Sequence, residues 1–595
     1  MAEPIEIHGL IDNYPENSRF LATVNYNRPQ RDDKGNWQQD SFTLVENVVI
    51  KDPETGKRKI KKQMIHDTEP LFKFYMDKDK SKYDVLEKRM FVEKEKTKEV
   101  ICPYRDLGLA MAQEAGYERW YKENSKINKY EVMKKMQSMP YFHQSDQNIE
   151  DFIIGNYYDN VGSQLFQAPP LRKAFFDIEV DTHETREFPE KDNPICPVNA
   201  ISFYDNYSNK EFLFLLRYPD NPDFVEFEKN VDKYRREAMN GLPIEQDGKT
   251  IKPLVIEGSD GKEKFLKDCK IFFFDTDEEL IRRFFYCVNE LCRPDFLMAW
   301  NLNFDFNYLM ARFEYLTRTP ACYLFCPDEW PFKICYYNED TKNMAWSQKG
   351  DYTNVSGWGQ YVDQLIVYAS IRATKDKLDD YSLNTVTEKE LGVHKLDIGG
   401  SMHDFCIRDY KRFAKYSLVD TFLLWRLENK VHDIDMIYNI SVLSRTRFHK
   451  AWKKTISLKN LAYKFFYDEG FIVSNNHNAD NADSEKFPGA FVLEPNIDHV
   501  GINFYGKKSN RLFRHVCDFD YSSLYPRLIL LCMIEAANQY GRITRVNDIT
   551  LSDDSYRIME LLISKDYLKI GSELFNLPNK NEILKFMNQV MKKVA

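Results

Sequence analysis

The stretch Arg172–Val180 is apolar except near its end, where two acidic residues are separated by one position. If the stretch is a β-strand, the side chains of Asp177 and Glu179 point to the same face. Two carboxylates held so close repel each other unless one is protonated or a cation neutralises them. Hard oxygen ligands suit Mg²⁺ or Mn²⁺. The pair predicts a metal-binding position, although an exposed strand face carrying two acids explains it equally well.

Two further acids occur where helices are predicted. Asp305 follows Trp300 at a point where a strand gives way to a helix, and alone it is best explained as a helix N-cap. Asp420 and Tyr416 are four residues apart on a predicted helix, so they share one face. That face is otherwise apolar, and a buried carboxylate is costly unless it is paired or metal-bound. An exposed acid at the rim is the alternative.

Together, the four acids and Tyr416 predict a single site for phosphodiester hydrolysis. Two metal ions would activate a water and stabilise the leaving 3′ oxygen, and Tyr416 would orient the water. The order of the motifs resembles the DnaQ-like 3′→5′ proofreading exonucleases, which implies a ribonuclease-H-like sheet and two Mg²⁺ or Mn²⁺ ions per site. The residues that the resemblance implies as metal ligands are Asp177, Glu179, Asp305 and Asp420.

Two residues beside Asp305 are candidates for holding a frayed 3′ end of DNA. Unpaired bases stack on aromatic side chains, and Phe304 offers a ring next to the acid. Asn301 precedes it in the same motif. A role for Phe304 in the hydrophobic core is an equally good explanation.

A second motif lies near the end of the sequence, in Asp518–Pro526. Its D-x-x-S-L-Y-P string resembles the first polymerase motif of family B DNA polymerases. The resemblance implies that Asp520 ligates both metals of nucleotidyl transfer. It also implies three residues that contact the incoming deoxynucleoside triphosphate, with the last lying against its sugar: Ser523, Leu524 and Tyr525.

The segment Phe487–Pro495 resembles the linker between exonuclease and palm in the T-even-type bacteriophage branch of this family. There Gly489 would allow a close approach of the backbone to the template strand. The resemblance spans roughly residues 165–535, so the remaining residues are assigned by position only.

Residues 527–595 contain neither the fingers motif nor the Asp-Thr-Asp hairpin that supplies the second metal-binding acid of a family B polymerase. Asp520 alone cannot hold two metals. We therefore expect a split polymerase, with fingers, the rest of the palm and the thumb on a C-terminal partner subunit. A fragment of a longer single chain is the alternative. A non-catalytic DNA-binding scaffold and a free-standing exonuclease with a palm remnant are weaker hypotheses.

Composition narrows the class of protein further. The chain of 595 residues has a net charge of −9, which excludes a uniformly basic coat but allows a local basic groove. The densest basic cluster is Lys57–Lys62. No apolar run approaches the length of a membrane span, and the sequence starts without a secretory signal. We expect a cytoplasmic protein, within an infected bacterial host if viral, whose partners are primer–template DNA and deoxynucleoside triphosphates. A sliding clamp is left open as a further partner.

The sequence predicts an α/β multidomain fold. Its parts are a mixed α+β N-terminal domain at 1–168 with a contribution from about 430–484, a DnaQ-like exonuclease domain at 169–429 and a partial palm at 485–595. The predicted strands near the acids are Arg172–Val180, Val198–Tyr207, Glu211–Tyr218 and Phe296–Trp300. The predicted helices are Tyr104–Glu123, Leu280–Leu291 with a capping box at Thr276, Asp305–Leu316, Asp409–Lys430 and Lys450–Glu469.

Overall fold

A computed structural model describes most of the chain up to residue 475. The described residues are 3–4, 14–28, 39–79, 91–161, 171–246, 248–257, 261–339, 344–373 and 376–475. All of them belong to the first of the two units into which the chain divides, Met1–Ser484. The predicted linker Gln167–Pro170 lies outside them, as do Gly489, Asp520, Ser523, Leu524 and Tyr525.

The described residues before Val161 form two three-stranded antiparallel sheets and a group of helices. The sheets have the strand orders β2-β3-β4 and β7-β5-β8. The strands are β1 (Glu3–Pro4), β2 (Arg19–Asn27), β3 (Ser41–Lys51), β4 (Arg58–Thr68), β5 (Leu71–Asp77), β6 (Phe91–Glu93), β7 (Thr97–Pro103) and β8 (Phe142–His143). The helices are α1 (Leu107–Ala115), α2 (Glu118–Asn124), α3 (Lys129–Gln137) and α4 (Ile149–Val161).

The single helix predicted over Tyr104–Glu123 is wrong in detail. A 3₁₀ turn at Tyr104–Asp106 precedes α1, and α1 ends at Gly116, whose φ of 81° is left-handed. Glycine adopts this conformation without a steric penalty and so closes the helix.

The central part of the chain adds a larger sheet and three small β elements. Its strands are β9 (Lys173–Val180), β10 (Val198–Asp205), β11 (Lys210–Leu216), β12 (Ile244–Gln246), β13 (Lys249–Ile251), β14 (Val255–Glu257), β15 (Glu263–Phe265), β16 (Asp268–Phe274), β17 (Phe296–Ala299), β18 (Cys335–Asn338), β19 (Tyr352–Val355) and β20 (Gln360–Asp363). The larger sheet has the order β16-β11-β10-β9-β17-β20. Strands β9, β10 and β11 are antiparallel neighbours, whereas β17 runs parallel to β9 and β20 parallel to β17.

Helices cover both faces of this sheet. They are α5 (Pro222–Lys229), α6 (Val231–Met239), α7 (Asp277–Tyr286, continued by a π turn at Cys287–Cys292), α8 (Leu302–Thr317), α9 (Cys322–Phe325), α10 (Gln364–Ile371), α11 (Leu383–Leu391), α12 (Phe405–Arg408) and α13 (Tyr410–Val431). Phe175 packs in one core with Phe422 of α13, while Phe176 packs in a second core with Phe306 of α8. The mixed α/β architecture expected from the sequence is confirmed. None of the helices among the described residues has both the length and the apolar character needed to span a bilayer.

The described chain ends in α14 (Asp433–Ser444), α15 (Phe448–Ala451), α16 (Lys454–Asp468) and β21 (Phe471–Val473). The sequence pattern predicts one continuous helix over Lys450–Glu469, and this prediction is wrong. The hydroxyl of Ser457 donates to the carbonyl of Ala451 at 2.7 Å, so a side chain satisfies the end of α15 and a new helix begins. Strand β21 pairs with β6, and Arg447 binds Asp151. The domain limits themselves stay predictions.

A buried ion pair connects the β2-β3-β4 sheet to the six-stranded sheet. The ammonium of Lys62 on β4 lies 2.7 Å from a carboxylate oxygen of Asp295, immediately before β17. Asn47 of β3 donates to the same oxygen at 2.7 Å. Burial lowers the pKa of Lys62 to about 8, although Asp295 opposes this shift.

Glu211 on β11 is fully buried, and neither of its carboxylate oxygens has a hydrogen-bond partner among the described residues. Burial raises its pKa well above the ordinary value. The folded state therefore holds a proton that the unfolded chain loses above pH ~4.3. Glutamine does not titrate, so the wild type alone loses stability as the pH rises. We therefore expect the unfolding free energy of Glu211→Gln, relative to that of the wild type, to increase by about 1.4 kcal/mol per pH unit between that pH and the folded-state pKa.

Urea unfolding followed by circular dichroism at pH 5 and pH 8 measures this difference. A Glu211→Gln advantage that is the same at both pH values would contradict the expectation.

Candidate active site

Strand β9 and helix α13 bring three acids of the predicted site together. Carboxylate oxygens of Asp177, Glu179 and Asp420 all lie within 4.8 Å of one another. Asp177 and Glu179 alternate with apolar residues on β9, so they point to the side of the sheet that α13 covers. The next residue on α13, Thr421, is hydrogen-bonded to Ser202 of β10, which fixes Asp420 against the sheet.

Asp305 lies beside this trio but outside the 4.8 Å group. It is 3% exposed, and its carboxylate accepts a hydrogen bond from the backbone N–H of Ile178 at 3.4 Å, between the two acids of β9. The N-cap position of α8 belongs to Asn301, with a left-handed φ of 63°. The helix begins three residues before Asp305, so the N-cap explanation of Asp305 is wrong.

Burial and mutual repulsion raise the pKa values of these acids. Burial raises the pKa of Asp177 to about 7, with Asp420 adding to the shift and Lys395 opposing it. The pKa values of Glu179 and Asp305 rise well above the ordinary range, mainly through burial and then through Asp177. Such a cluster favours either protons or cations.

A lysine that the sequence did not reveal completes the cluster. The ammonium of Lys395 lies 2.6 Å from Asp420 and 3.0 Å from the hydroxyl of Tyr416. Burial disfavours its charge, but Asp420, Tyr416 and Asp177 outweigh that effect and hold its pKa well above the ordinary value. Lys395 lies 21 residues before Tyr416, in a stretch without helical or strand periodicity, so no pattern pointed to it.

The residues present fit a divalent cation. One carboxylate oxygen of Asp420 is buried and has no hydrogen-bond partner among the described residues, which leaves it available as a ligand. The donors that converge here are all hard oxygens, as Mg²⁺ and Mn²⁺ prefer.

The two candidates for holding DNA lie at the start of α8. Phe304 is partly buried and packs against the core below α8, and its ring lies 5.7 Å from that of Tyr308. The ring of Phe304 also lies 5.5 Å from the ring of Phe188, which is 75% exposed. Sequence reasoning missed Phe188, whose surroundings in the sequence show only a loop. The roles proposed for Asn301 and Phe304 stay predictions.

Metal binding should stabilise the folded chain. At a Mn²⁺ concentration about 100-fold above Kd, the gain is about 2.7 kcal/mol, measured as a rise in the unfolding midpoint. Protons compete for the same carboxylates, and the pKa of Asp177 is about 7, so we expect a larger effect at pH 8 than at pH 6.

The double variant Asp177→Asn/Glu179→Gln should lose this stabilisation, and Asp220→Asn, at an exposed position that belongs to none of the acidic motifs, should keep it. Equal Mn²⁺ effects in the two variants would contradict the assignment of the site.

Comparison with known proteins agrees with the geometry. Residues 117–386 match the family model described as DNA polymerase family B, exonuclease domain. Among curated proteins, the chain is 24% identical over 434 residues to the DNA-directed DNA polymerase of Enterobacteria phage T4, covering 70% of this chain and 42% of that protein. It is 21% identical over 387 residues to the corresponding enzyme of Escherichia phage RB69, covering 64% and 37%. DNA polymerase 120R of Invertebrate iridescent virus 3 is 25% identical over 325 residues, covering 49% and 24%.

The chain thus spans about two fifths of the length of the two phage polymerases that it matches. The match falls on the region that carries Asp177 and Asp305, and the relationship to family B indicated by the motifs is confirmed. Residues 117–386 are thus similar to the exonuclease domain of family B DNA polymerases, and the chain is similar to the DNA polymerases of phages T4 and RB69.

Proposed function

We propose that this chain is a divalent-metal-dependent exonuclease that removes nucleotides from the 3′ end of single-stranded DNA. The observation that carries the proposal is the convergence of Asp177, Glu179 and Asp420 within 4.8 Å. Asp305 lies against the backbone between the first two acids. A scaffold protein has no need of a buried set of repelling carboxylates, which favours an enzyme over a non-catalytic role.

The four acids would hold the cations, two per site in our proposal. When bound, the cations would supply a water of lowered pKa and would stabilise the negative charge that develops on the phosphate and the leaving oxygen. The backbone N–H of Ile178 positions Asp305 beside the two acids of β9.

Tyr416 acts as a hydrogen-bond donor. Burial first, and then Asp420, raise the pKa of its hydroxyl far above neutrality, so the proton is retained. Its oxygen accepts from Lys395 and its O–H is hydrogen-bonded to Asp420, so it would orient a water or a phosphate oxygen when Asp420 turns to hold a cation. Lys395 keeps its positive charge and lies where a non-bridging phosphate oxygen of the substrate would gain from it.

The aromatic pair Phe188 and Phe304 would receive the terminal base. Its partly exposed rings offer stacking that does not depend on base identity. A mispaired end loses less pairing energy when it moves into the site than a paired end does. Selection of mispaired ends, and therefore proofreading, follows from that difference.

The double variant Asp177→Ala/Glu179→Ala should lose at least about 10³-fold of the rate of 3′-end degradation, since loss of the cations removes several kcal/mol of stabilisation of the transition state. Release of mononucleotides from single-stranded DNA with Mg²⁺ measures the rate. The exposed Asp220→Ala variant should degrade DNA like the wild type.

Undiminished degradation by the double variant would refute the exonuclease assignment. A wild-type chain that binds DNA but never cleaves it with Mg²⁺ or Mn²⁺ would favour the scaffold.

We further propose that Asp520 contributes to a polymerase active site, with Ser523, Leu524 and Tyr525 on the incoming nucleotide. This proposal is supported by the motif and by the polymerase relatives. The second catalytic acid, the fingers and the thumb would come from a partner chain, or from the rest of a longer chain in the alternative reading. A third possibility is an exonuclease without any polymerase role, and primer extension with a complementing polypeptide distinguishes it from the other two.

The 595-residue chain alone should not extend a primer. Addition of a polypeptide that carries the missing palm acid, fingers and thumb should give primer extension, and Asp520→Ala should abolish it without affecting 3′-end degradation. Extension by the chain alone, or by the complex that contains Asp520→Ala, would contradict the proposal.

A further inference from the structure

Lys395 lies in a segment without regular secondary structure. Residues 393–399 belong to no helix or strand in the described chain. Its backbone is therefore not held by a ladder of helix or sheet hydrogen bonds, and other groups must satisfy its polar atoms. The ammonium nevertheless reaches two precise partners, Asp420 and Tyr416.

Two side-chain amides hold the backbone of this segment. The Nε2 of Gln246 donates to the carbonyl oxygens of His394 at 2.6 Å and Lys395 at 3.2 Å. The Oε1 of Gln246 accepts from the N–H of His394 at 3.5 Å. From the other side, the Oδ1 of Asn384 accepts from the N–H of Lys395 at 2.9 Å. The peptide groups flanking Lys395 are thus held from two directions.

Both amides are carried by anchored elements. Gln246 ends β12, is 8% exposed and is followed by β13, with which β12 pairs. Ile251 of β13 packs on the core that also contains Val393. Asn384 lies in the first turn of α11, next to the buried Leu383. An irregular segment is therefore held between two fixed supports.

We propose that Gln246 is a positioning residue for the exonuclease site: through the backbone of His394 and Lys395 it places the Lys395 ammonium on Asp420 and Tyr416. The expected effect on kcat rests on the proposed exonuclease function, whereas the placement of Lys395 by Gln246 does not. The β12–β13 hairpin, outside the three acidic motifs, thereby becomes part of the active-site machinery.

The contact of Gln246 with the carbonyl oxygens of His394 and Lys395 needs an N–H donor, so substitutions that remove only the donor test it. In Gln246→Glu at pH 8 the side chain has no N–H, and a carboxylate oxygen faces two carbonyl oxygens. Gln246→Met has the same length, carries no charge and also lacks the donor. At Asn384 the backbone needs an acceptor, so Asn384→Leu loses the contact whereas Asn384→Asp restores it.

Steady-state hydrolysis of 3′-labelled single-stranded DNA by the full chain gives the first readout. Gln246→Glu and Gln246→Met should lower kcat by about 10- to 100-fold with an unchanged KM for DNA, since a misplacement of about 1 Å costs that much. Asn384→Leu should lower kcat, and Asn384→Asp should recover most of it. Asn240→Asp adds the same negative charge at an exposed position before β12 and should behave like the wild type.

The second readout does not require activity. Acetylation of lysines in the metal-free chain, followed by mass spectrometry, reports how tightly the Lys395 ammonium is held. Its rate, relative to that of the exposed Lys61, should rise several-fold in both Gln246 variants and stay unchanged in Asn240→Asp. The pair of Gln246 variants keeps the test valid if one of them fails to fold.

Wild-type kcat and wild-type acetylation of Lys395 in the Gln246 variants would overturn the proposal. A second pattern would overturn it as well: Gln246→Glu and Asn240→Asp both lose kcat, whereas Gln246→Met does not. The added negative charge would then be the cause of the loss. If the wild-type chain shows no exonuclease activity, the proposed function fails, while the acetylation rates still decide whether Gln246 holds Lys395.

Discussion

Repulsion between carboxylates confined in a buried space is the constraint on which the site depends. Asp177, Glu179 and Asp420 are too close to ionise together without a counter-charge, and Asp305 adds a fourth acid nearby. The fold prevents them from separating, because β9 is a central strand between β10 and β17 and α13 packs across it. A helix or strand at the sheet edge could bend away and relieve the strain. The central position turns an unfavourable arrangement into a strong preference for cations.

The acids of this site could be predicted from the sequence because regular secondary structure carries them. Alternation along β9 places Asp177 and Glu179 on one face, and a spacing of four on α13 does the same for Tyr416 and Asp420. These periodicities are local and place each pair on one face, whereas the union of the four acids into one site came from the resemblance to the DnaQ-like exonucleases. The predicted strands near the acids coincide closely with β9, β10, β11 and β17.

What sequence reasoning missed depends on contacts between distant segments. Lys395 and Gln246 lie in or beside irregular backbone, where neither spacing nor hydrophobic pattern reports the fold. The error at Asp305 has a different cause, since a left-handed Asn301 lets α8 begin earlier than the polar pattern indicated. At the break between α15 and α16, the hydroxyl of Ser457 donates to the carbonyl of Ala451, a contact that helix propensities do not register. The polymerase motif around Asp520 stays a prediction from sequence.

The Lys62–Asp295 pair has a consequence for how the six-stranded sheet can change in evolution and be divided by experiment. Either partner without the other would leave an uncompensated charge in a dry interior, typically a loss of 3–5 kcal/mol. Substitution must therefore change both at once, which makes the junction resistant to gradual drift. It also follows that the six-stranded sheet, produced without β3 and β4, would lose the contacts of Lys62 and Asn47 with Asp295 and would keep the hydrogen bond from the N–H of Arg172.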